Sequence, residues 1–202
     1  MLWVVLGMLA FVVIVLLAIA AYAISVYNDL VRKRNNYENQ FSQIDVQLKR
    51  RYDLIPNLVE VAKGYMSHEK ETLEAVIQAR NHSFSASQAA AKDPSDPNSM
   101  KQLMQAEGQL NNTLSRLMVV SEQYPDLKAN TNMQDLQKEL RDTEDKVAFT
   151  RQAFNNAVTS YNTYKQTFPP VLFAATFGHA QDASLLDFDD DEIQEPPDVS
   201  FT

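Results

Sequence analysis

The closest approach to a catalytic signature in this chain is His68-Glu69-Lys70-Glu71-Thr72. A zinc protease needs His at both ends of an HExxH run, so that two ring nitrogens meet one metal from one helix face. Here the fifth residue is Thr72, and a neighbouring glutamate does not restore that geometry. The acidic pair suits a different role, in the first turn of a helix, where carboxylates offset the positive end of the dipole. His82 and His179 have no ligand partner at helical spacing and read as surface or packing residues. The chain has no cysteine, which removes thiolate metal sites and disulfides. No catalytic, cofactor-binding or metal-binding residue is assigned, and the expectation is a protein that is not an enzyme and needs no cofactor.

Three arginines carry more information. Arg34, Arg51 and Arg80 fall on or near apolar seams, and an unpaired buried cation costs several kcal/mol. Each should meet a carboxylate or face a second molecule. Asp53, Glu74, Glu144 and Asp145 are the candidate partners, with Arg51, Asp53 and Arg80 as the expected structural polar set. Lys49-Arg50-Arg51-Tyr52 sets an aromatic beside a short basic run. That is a weak nucleic-acid signal in a chain with 26 acidic and 18 basic residues, and no nucleic-acid partner is expected.

The elements that must position these side chains are helical. Leu30, Arg34, Tyr37, Phe41, Ile44, Leu48, Arg51, Ile55, Leu58, Ala62 and Tyr65 recur by steps of four and three. The phase survives Pro56, which predicts a kinked continuous helix; the alternative is a new helix capped by Asp53 with Pro56 in its first turn. Met133, Leu136, Leu140, Thr143, Val147, Thr150, Phe154, Ala157, Tyr161, Tyr164 and Phe168 form a second heptad seam, capped by Asn130 or Thr131 and long enough for ~54 Å of helix. Two shorter helices lie between. One runs from Glu69 to about Ala91 with Leu73, Val76, Ile77 and Phe84; the next, after an Asp96-Pro97 start, carries Leu103, Leu110, Leu114, Leu117 and Val120. No β-like alternation occurs, and Pro94, Pro97, Pro125 and Pro169-Pro170 punctuate the chain. The expected fold is all-α: an N-terminal transmembrane helix running into an antiparallel up-and-down four-helix bundle, with an acidic C-terminal tail. The divisions are residues 1–27 as anchor, 28–168 as helical bundle, and 169–202 as short helix and tail.

The anchor is read from Leu2 to Val26, an apolar run longer than the roughly 20 residues a bilayer core requires. Trp3 lies near one end and Tyr22 and Tyr27 near the other, as interface belts do. Arg32, Lys33 and Arg34 follow, which predicts a short N-terminus outside and the bulk of the chain in the cytoplasm. Ala21-Tyr22-Ala23 resembles a cleavage site, but no basic residues precede the apolar run and the run is long for a signal peptide. A retained single-pass anchor in a bacterial cytoplasmic membrane is the expectation. With no Gly or Pro between Met8 and Ile55, the membrane helix should enter the bundle as one rigid rod.

From Gln181 to Thr202 there are eight acidic residues and no Lys or Arg, so the net charge of −8 resides there and the rest balances. Asp187 to Pro197 reads as a solvated segment. Leu185, Leu186 and Phe188, then Val199 and Phe201, fit instead a tail docked on its own bundle or on a partner.

Gln43-Ile44-Asp45-Val46-Gln47-Leu48-Lys49-Arg50-Arg51-Tyr52-Asp53-Leu54-Ile55-Pro56-Asn57-Leu58-Val59-Glu60 resembles the hallmark segment of LemA family proteins. Lys63-Gly64-Tyr65, His68-Glu69, Thr72-Leu73-Glu74 and Ala79-Arg80-Asn81 continue the likeness. So do Val147-Ala148-Phe149-Thr150-Arg151, Val158, Tyr161-Asn162, Phe168-Pro169, Phe177-Gly178 and Val199-Ser200-Phe201. The resemblance implies a bacterial single-pass membrane protein with a cytoplasmic helical bundle and no catalytic residues; one family member takes part in building magnetosome membranes. Two departures stand out: the usual aromatic-rich stretch after Gly178 is here the acidic His179 to Asp191, and the aromatic before the hallmark is Phe41. The expected function is a non-enzymatic scaffold at the cytoplasmic membrane face. Its expected partners are the lipid bilayer, further copies of itself and a membrane protein; the alternative is an adaptor for a membrane protease or transporter through the tail.

Overall fold

The structure is a computed structural model that describes residues 1–187. The expectations placed on Phe188, Val199 and Phe201 lie outside those residues. The described chain is helical, with no strand among its residues. Its elements are α1 (Leu2–Lys63), α2 (Lys70–Lys92), α3 (Pro97–Ser121), α4 (Pro125–Lys128), α5 (Thr131–Gln166) and α6 (Val171–Ala174).

Helix α1 runs unbroken for 62 residues, a rod of about 93 Å. Its first part has a mean hydropathy of 3.2, and none of that stretch is buried inside the protein. From Val26 onward the same helix becomes the spine of a packed core. Val26, Leu30, Tyr37, Phe41, Ile44, Leu48, Ile55, Leu58 and Ala62 are all buried. Pro56 lies inside the helix on an exposed face, so its ring is turned away from the core. Continuity through Pro56 is therefore what forms, rather than a new start at Asp53. Two seam positions differ from expectation. Tyr65 lies past the helix end and is exposed, and Arg34 is only partly covered.

Local chemistry sets the other helix ends. The Asp96 carboxylate accepts from the backbone N–H groups of Asn98 and Ser99 at 3.2 and 3.0 Å, ahead of Pro97, whose missing N–H costs nothing there. Asn130 accepts from the Met133 N–H at 3.0 Å. The α5 seam is buried at Met133, Leu140, Val147, Phe154, Ala157 and Tyr161, but Phe168 falls beyond the helix and is exposed.

Helix α1 packs lengthwise against α5 and α2, and α2 against α3. Pairings such as Tyr37 with Phe154 and Tyr161, and Tyr52 with Phe84, run antiparallel. Helix α2 presents Ala79, Ser83, Ala86, Ser87 and Ala90 as buried positions, while Ile77 and Phe84 are only partly covered. Small side chains let α2 sit close between α1 and α3, which moves the bulky pair to the flank. Helices α3 and α5 approach closely at few points, so the fourth side is a groove rather than a packed seam.

Candidate functional site

Arg51 of α1 lines the floor of that groove, and its neighbour Tyr52 lies on the other side of the helix, against α2. Neighbours on a helix diverge by about 100°, so Arg51 points toward α3 and α5 while Tyr52 points toward α2 and α3. Both converge on one carboxylate of α3. Arg51 Nη1 donates to Glu107 Oε2 at 2.9 Å, and the Tyr52 hydroxyl reaches Glu107 Oε1 at 2.5 Å. Arg51 Nη2 also donates to Asn111 Oδ1 at 2.5 Å and to Glu144 Oε1 at 2.8 Å. Arg51 is 3% exposed and Glu107 1%, while the Glu144 side chain is 45% exposed at the groove rim. Arg51 Nε alone in this side chain is buried without a partner. Burial, reinforced by the Glu107 charge, pushes the Tyr52 phenol far above its ordinary range, so it stays protonated beside the carboxylate.

Ser83 adds a further tie, donating from Oγ to the Ala106 carbonyl at 2.9 Å. The result ties α1, α2, α3 and α5 together, with Arg51 bridging α3 and α5 across the open side. The groove above it encloses about 670 Å³ and is lined by Asn111, Leu114, Met118, Leu140, Glu144 and Arg151, among others. Chemically, both terminal nitrogens of Arg51 are committed to acceptors within the protein, so the guanidinium is not free to hold an anion. No group of three His, Asp or Glu able to share a metal occurs among the described residues. His68 is exposed, His82 Nδ1 lies 3.3 Å from Gln109 Oε1 at the surface, and His179 is buried against Tyr161 with Nδ1 2.8 Å from the hydroxyl.

Arg80 compensates for Pro56. Proline has no N–H, so the Tyr52 carbonyl one turn earlier loses its helical donor. Arg80 Nε of α2 donates to that carbonyl at 2.9 Å, and its guanidinium lies 5.1 Å from the Phe84 ring centroid. The carboxylate expected for Arg80 is a secondary contact: Asp53 lies 3.7 Å away with its side chain 72% exposed. Arg34 pairs with Glu38 one turn on, at 2.8 Å. Glu74 pairs with Lys70 rather than with any of the three arginines, and Asp145 lines the groove without an ion pair to Arg51. Glu107, the most buried partner, is absent from the sequence-derived candidates. Its signal was legible: Met100, Leu103, Glu107, Leu110, Leu114 and Leu117 step by three and four, with one acid where an apolar residue belongs.

A second set of contacts lies where α1 leaves its apolar run. Tyr22 meets Phe173 at 6.3 Å between ring centroids, Tyr27 meets Phe177 at 5.4 Å, and the two phenylalanines stack at 6.0 Å. Arg32 pairs with Asp29 at 2.7 Å, and Lys33 donates to Ser160 Oγ at 2.9 Å. The Tyr164 hydroxyl donates to Asp29 Oδ2 at 3.2 Å, and burial raises its pKa to about 12. Trp3 is 84% exposed on the apolar stem.

The segment after α6 returns along α5, held by two asparagines one heptad apart. Asn162 accepts from Ala183 N and donates to Ala183 O, and Asn155 treats Leu186 identically, all within 2.8 to 3.0 Å. Ala183 and Leu186 are buried. The described part of the tail, to Asp187, thus docks on its own helices.

The LemA family model matches residues 40–201, which takes in α2 to α6 and α1 from Gln40. Among curated relatives, the magnetosome protein MamQ of Magnetospirillum gryphiswaldense is 27% identical over 180 residues, covering 82% of this chain and 63% of its own length. Protein LemA of Metamycoplasma hominis is 29% identical over 141 residues, covering 70% of this chain and 60% of its own length. The chain therefore spans less than two thirds of the length of these relatives. The matched stretch contains the whole Arg51–Tyr52–Glu107 cluster, the Pro56–Arg80 compensation and both asparagine ties; the chain belongs to the LemA family.

Proposed function

We propose that this chain is a non-enzymatic, single-pass membrane protein that self-associates as a scaffold, with its bundle at the cytoplasmic face of a bacterial cytoplasmic membrane. The observation that carries this reading is α1, which passes from an exposed apolar stem into a buried core without a break. Such a rod fixes the height and tilt of whatever the domain holds, which a flexible tether would not. The basic cluster at Arg32, Lys33 and Arg34 supports an outside N-terminus. The groove between α3 and α5, together with exposed Phe149 on the adjoining α1–α5 face, is the surface through which copies would meet. Relatives named as magnetosome proteins support a role in membrane organisation. The test is the mass of the full chain in nanodiscs and detergent over a range of concentrations. Oligomers that strengthen with concentration are expected; a monomer throughout rules self-association out.

A second reading, an adaptor for a membrane protease or transporter, is favoured by the asparagine ties. They fix the chain up to Asp187 and so deliver the acidic stretch from a defined point on the bundle. Crosslinking from residues after Asp187, with mass spectrometry, should then recover one dominant membrane-protein partner.

A further inference from the structure

The chain from Gln166 to Gln181 holds no Lys, Arg, Asp or Glu. It leaves three large apolar side chains in the open: Phe168 at 77% exposure, Val171 at 47% and Leu172 at 64%. The opposite side of this segment is packed, with Ala174 buried and α6 lying on α1 where Val26 and Leu30 are covered. An apolar patch bordered on one side by a folded core marks a contact surface. Its height is set by α1. The apolar run Leu2–Val26 slightly exceeds a hydrocarbon core of about 30 Å, so its last turns, Tyr22 to Val26, lie at the water–lipid boundary. Phe173 touches Tyr22 and Phe177 touches Tyr27, which pins α6 to that level. The first charged partner, Asp29 with Tyr164, stands about 10 Å past Tyr22 and about 3 Å past Tyr27 along α1.

We propose that Phe168 to Phe173 is a second membrane element, seated in the lipid interface beside α1 with Phe168, Val171 and Leu172 among the headgroups and upper acyl chains. The inference rests on the reading of α1 as a membrane anchor. Lipid, rather than a protein, is the occupant because the patch is continuous with a stem that brings lipid to the same height. Interfacial elements of this kind bury their apolar face roughly 5–10 Å deep, which suits a four-residue helix preceded by two prolines.

The chain has one Trp, Trp3, so emission reports single sites. The full-length protein is placed in bilayers whose lipids carry bromine either high on the acyl chain or near its methyl end. Wild-type Trp3 tests the anchor. In a Trp3→Phe background, Leu172→Trp and separately Phe168→Trp test the patch, with exposed Val119→Trp, at the far end of α3, as the control. Both patch probes should be quenched several-fold more than Val119→Trp, and more by the shallow bromines than by the deep ones. Quenching of the patch probes no greater than that of the control, with Trp3 still quenched, overturns the inference and leaves the anchor standing. Patch probes shielded from both lipid bromine and aqueous acrylamide would assign the patch to a protein partner, which also overturns it. An unquenched Trp3 overturns the anchor and the inference together. Helicity by circular dichroism selects the patch variant to read, and two independent positions keep the test decisive.

Discussion

Arg51 shows how unequal the two partners of a buried charge can be. Glu107 is 1% exposed and has Arg51 as its ion-pair partner, whereas Glu144 sits half in solvent. Removing one member of a buried pair costs ~3–5 kcal/mol, and an exposed pair contributes only ~0–1 kcal/mol. Arg51→Ala should therefore lower the unfolding free energy by about 3–5 kcal/mol, and Glu144→Ala by less than about 1 kcal/mol, in urea titrations of the full chain. Arg51→Met combined with Glu107→Gln should lose much less than the two single changes summed, because no lone charge remains inside. A wild-type denaturation midpoint for Arg51→Ala would remove the cluster from the account of stability. His179 makes a different prediction. Burial comes first, then the Arg34 and Lys165 charges, in holding its pKa below the ordinary 6.5. Arg34 faces it from α1, Tyr161 and Lys165 from α5, and Asp182 from its own segment. A lowered folded pKa means that the unfolded chain takes up the proton first. Stability should be unaffected by this group above pH 6.5 and fall as pH drops below it, levelling once the folded ring is also protonated. His179→Gln should flatten that slope below about pH 6.5; an unchanged slope would show that other groups cause it.

At the scale of elements, the kink-tolerant proline and the second helix form one device. A proline inside a helix costs ~3 kcal/mol or more, partly through the carbonyl it orphans. Here Arg80 supplies the missing donor from α2. Arg80→Leu should cost about 1–3 kcal/mol in the wild type. It should cost considerably less in a Pro56→Ala background, where the restored backbone N–H can serve the Tyr52 carbonyl. A double-mutant cycle with zero coupling would separate the two residues. This pairing also marks what sequence reading could reach. The α1 and α5 seams, the Asp96 and Asn130 caps and the apolar stem were legible because each depends on residues within a turn or two. The Arg51–Glu144 partnership followed from charge on a seam, and Glu107 could have been found as an acid in a heptad of leucines. Arg80 serving a carbonyl could not, since it depends on how α2 is rotated about α1. The two asparagine ties were equally hidden: Asn155 and Asn162 look like solvent residues until the returning chain lies across them.

For the molecule as a whole, the question is whether stem and bundle move as one body. Helix continuity alone gives modest stiffness, because a single helix bends gently over such lengths. The structure adds a brace: Phe173 and Phe177 clasp Tyr22 and Tyr27, and Tyr164 binds Asp29. Aromatic pairs contribute ~0.5–1.5 kcal/mol each beyond their area, enough to suppress bending at a junction without being needed to fold the core further along. The absence of cysteine makes the idea measurable, since labels can be placed at will. Spin labels at Leu16 of the stem and Lys101 of α3, both exposed, should give one narrow distance distribution in nanodiscs. Phe173→Ala with Phe177→Ala should broaden it several-fold while helicity and the denaturation midpoint change little. If the distribution is already broad in the unaltered chain, the brace does not hold, and a scaffold that sets height and tilt loses its mechanical basis. If it stays narrow after both substitutions, the rigidity belongs to α1 itself and the aromatic clasp serves another end.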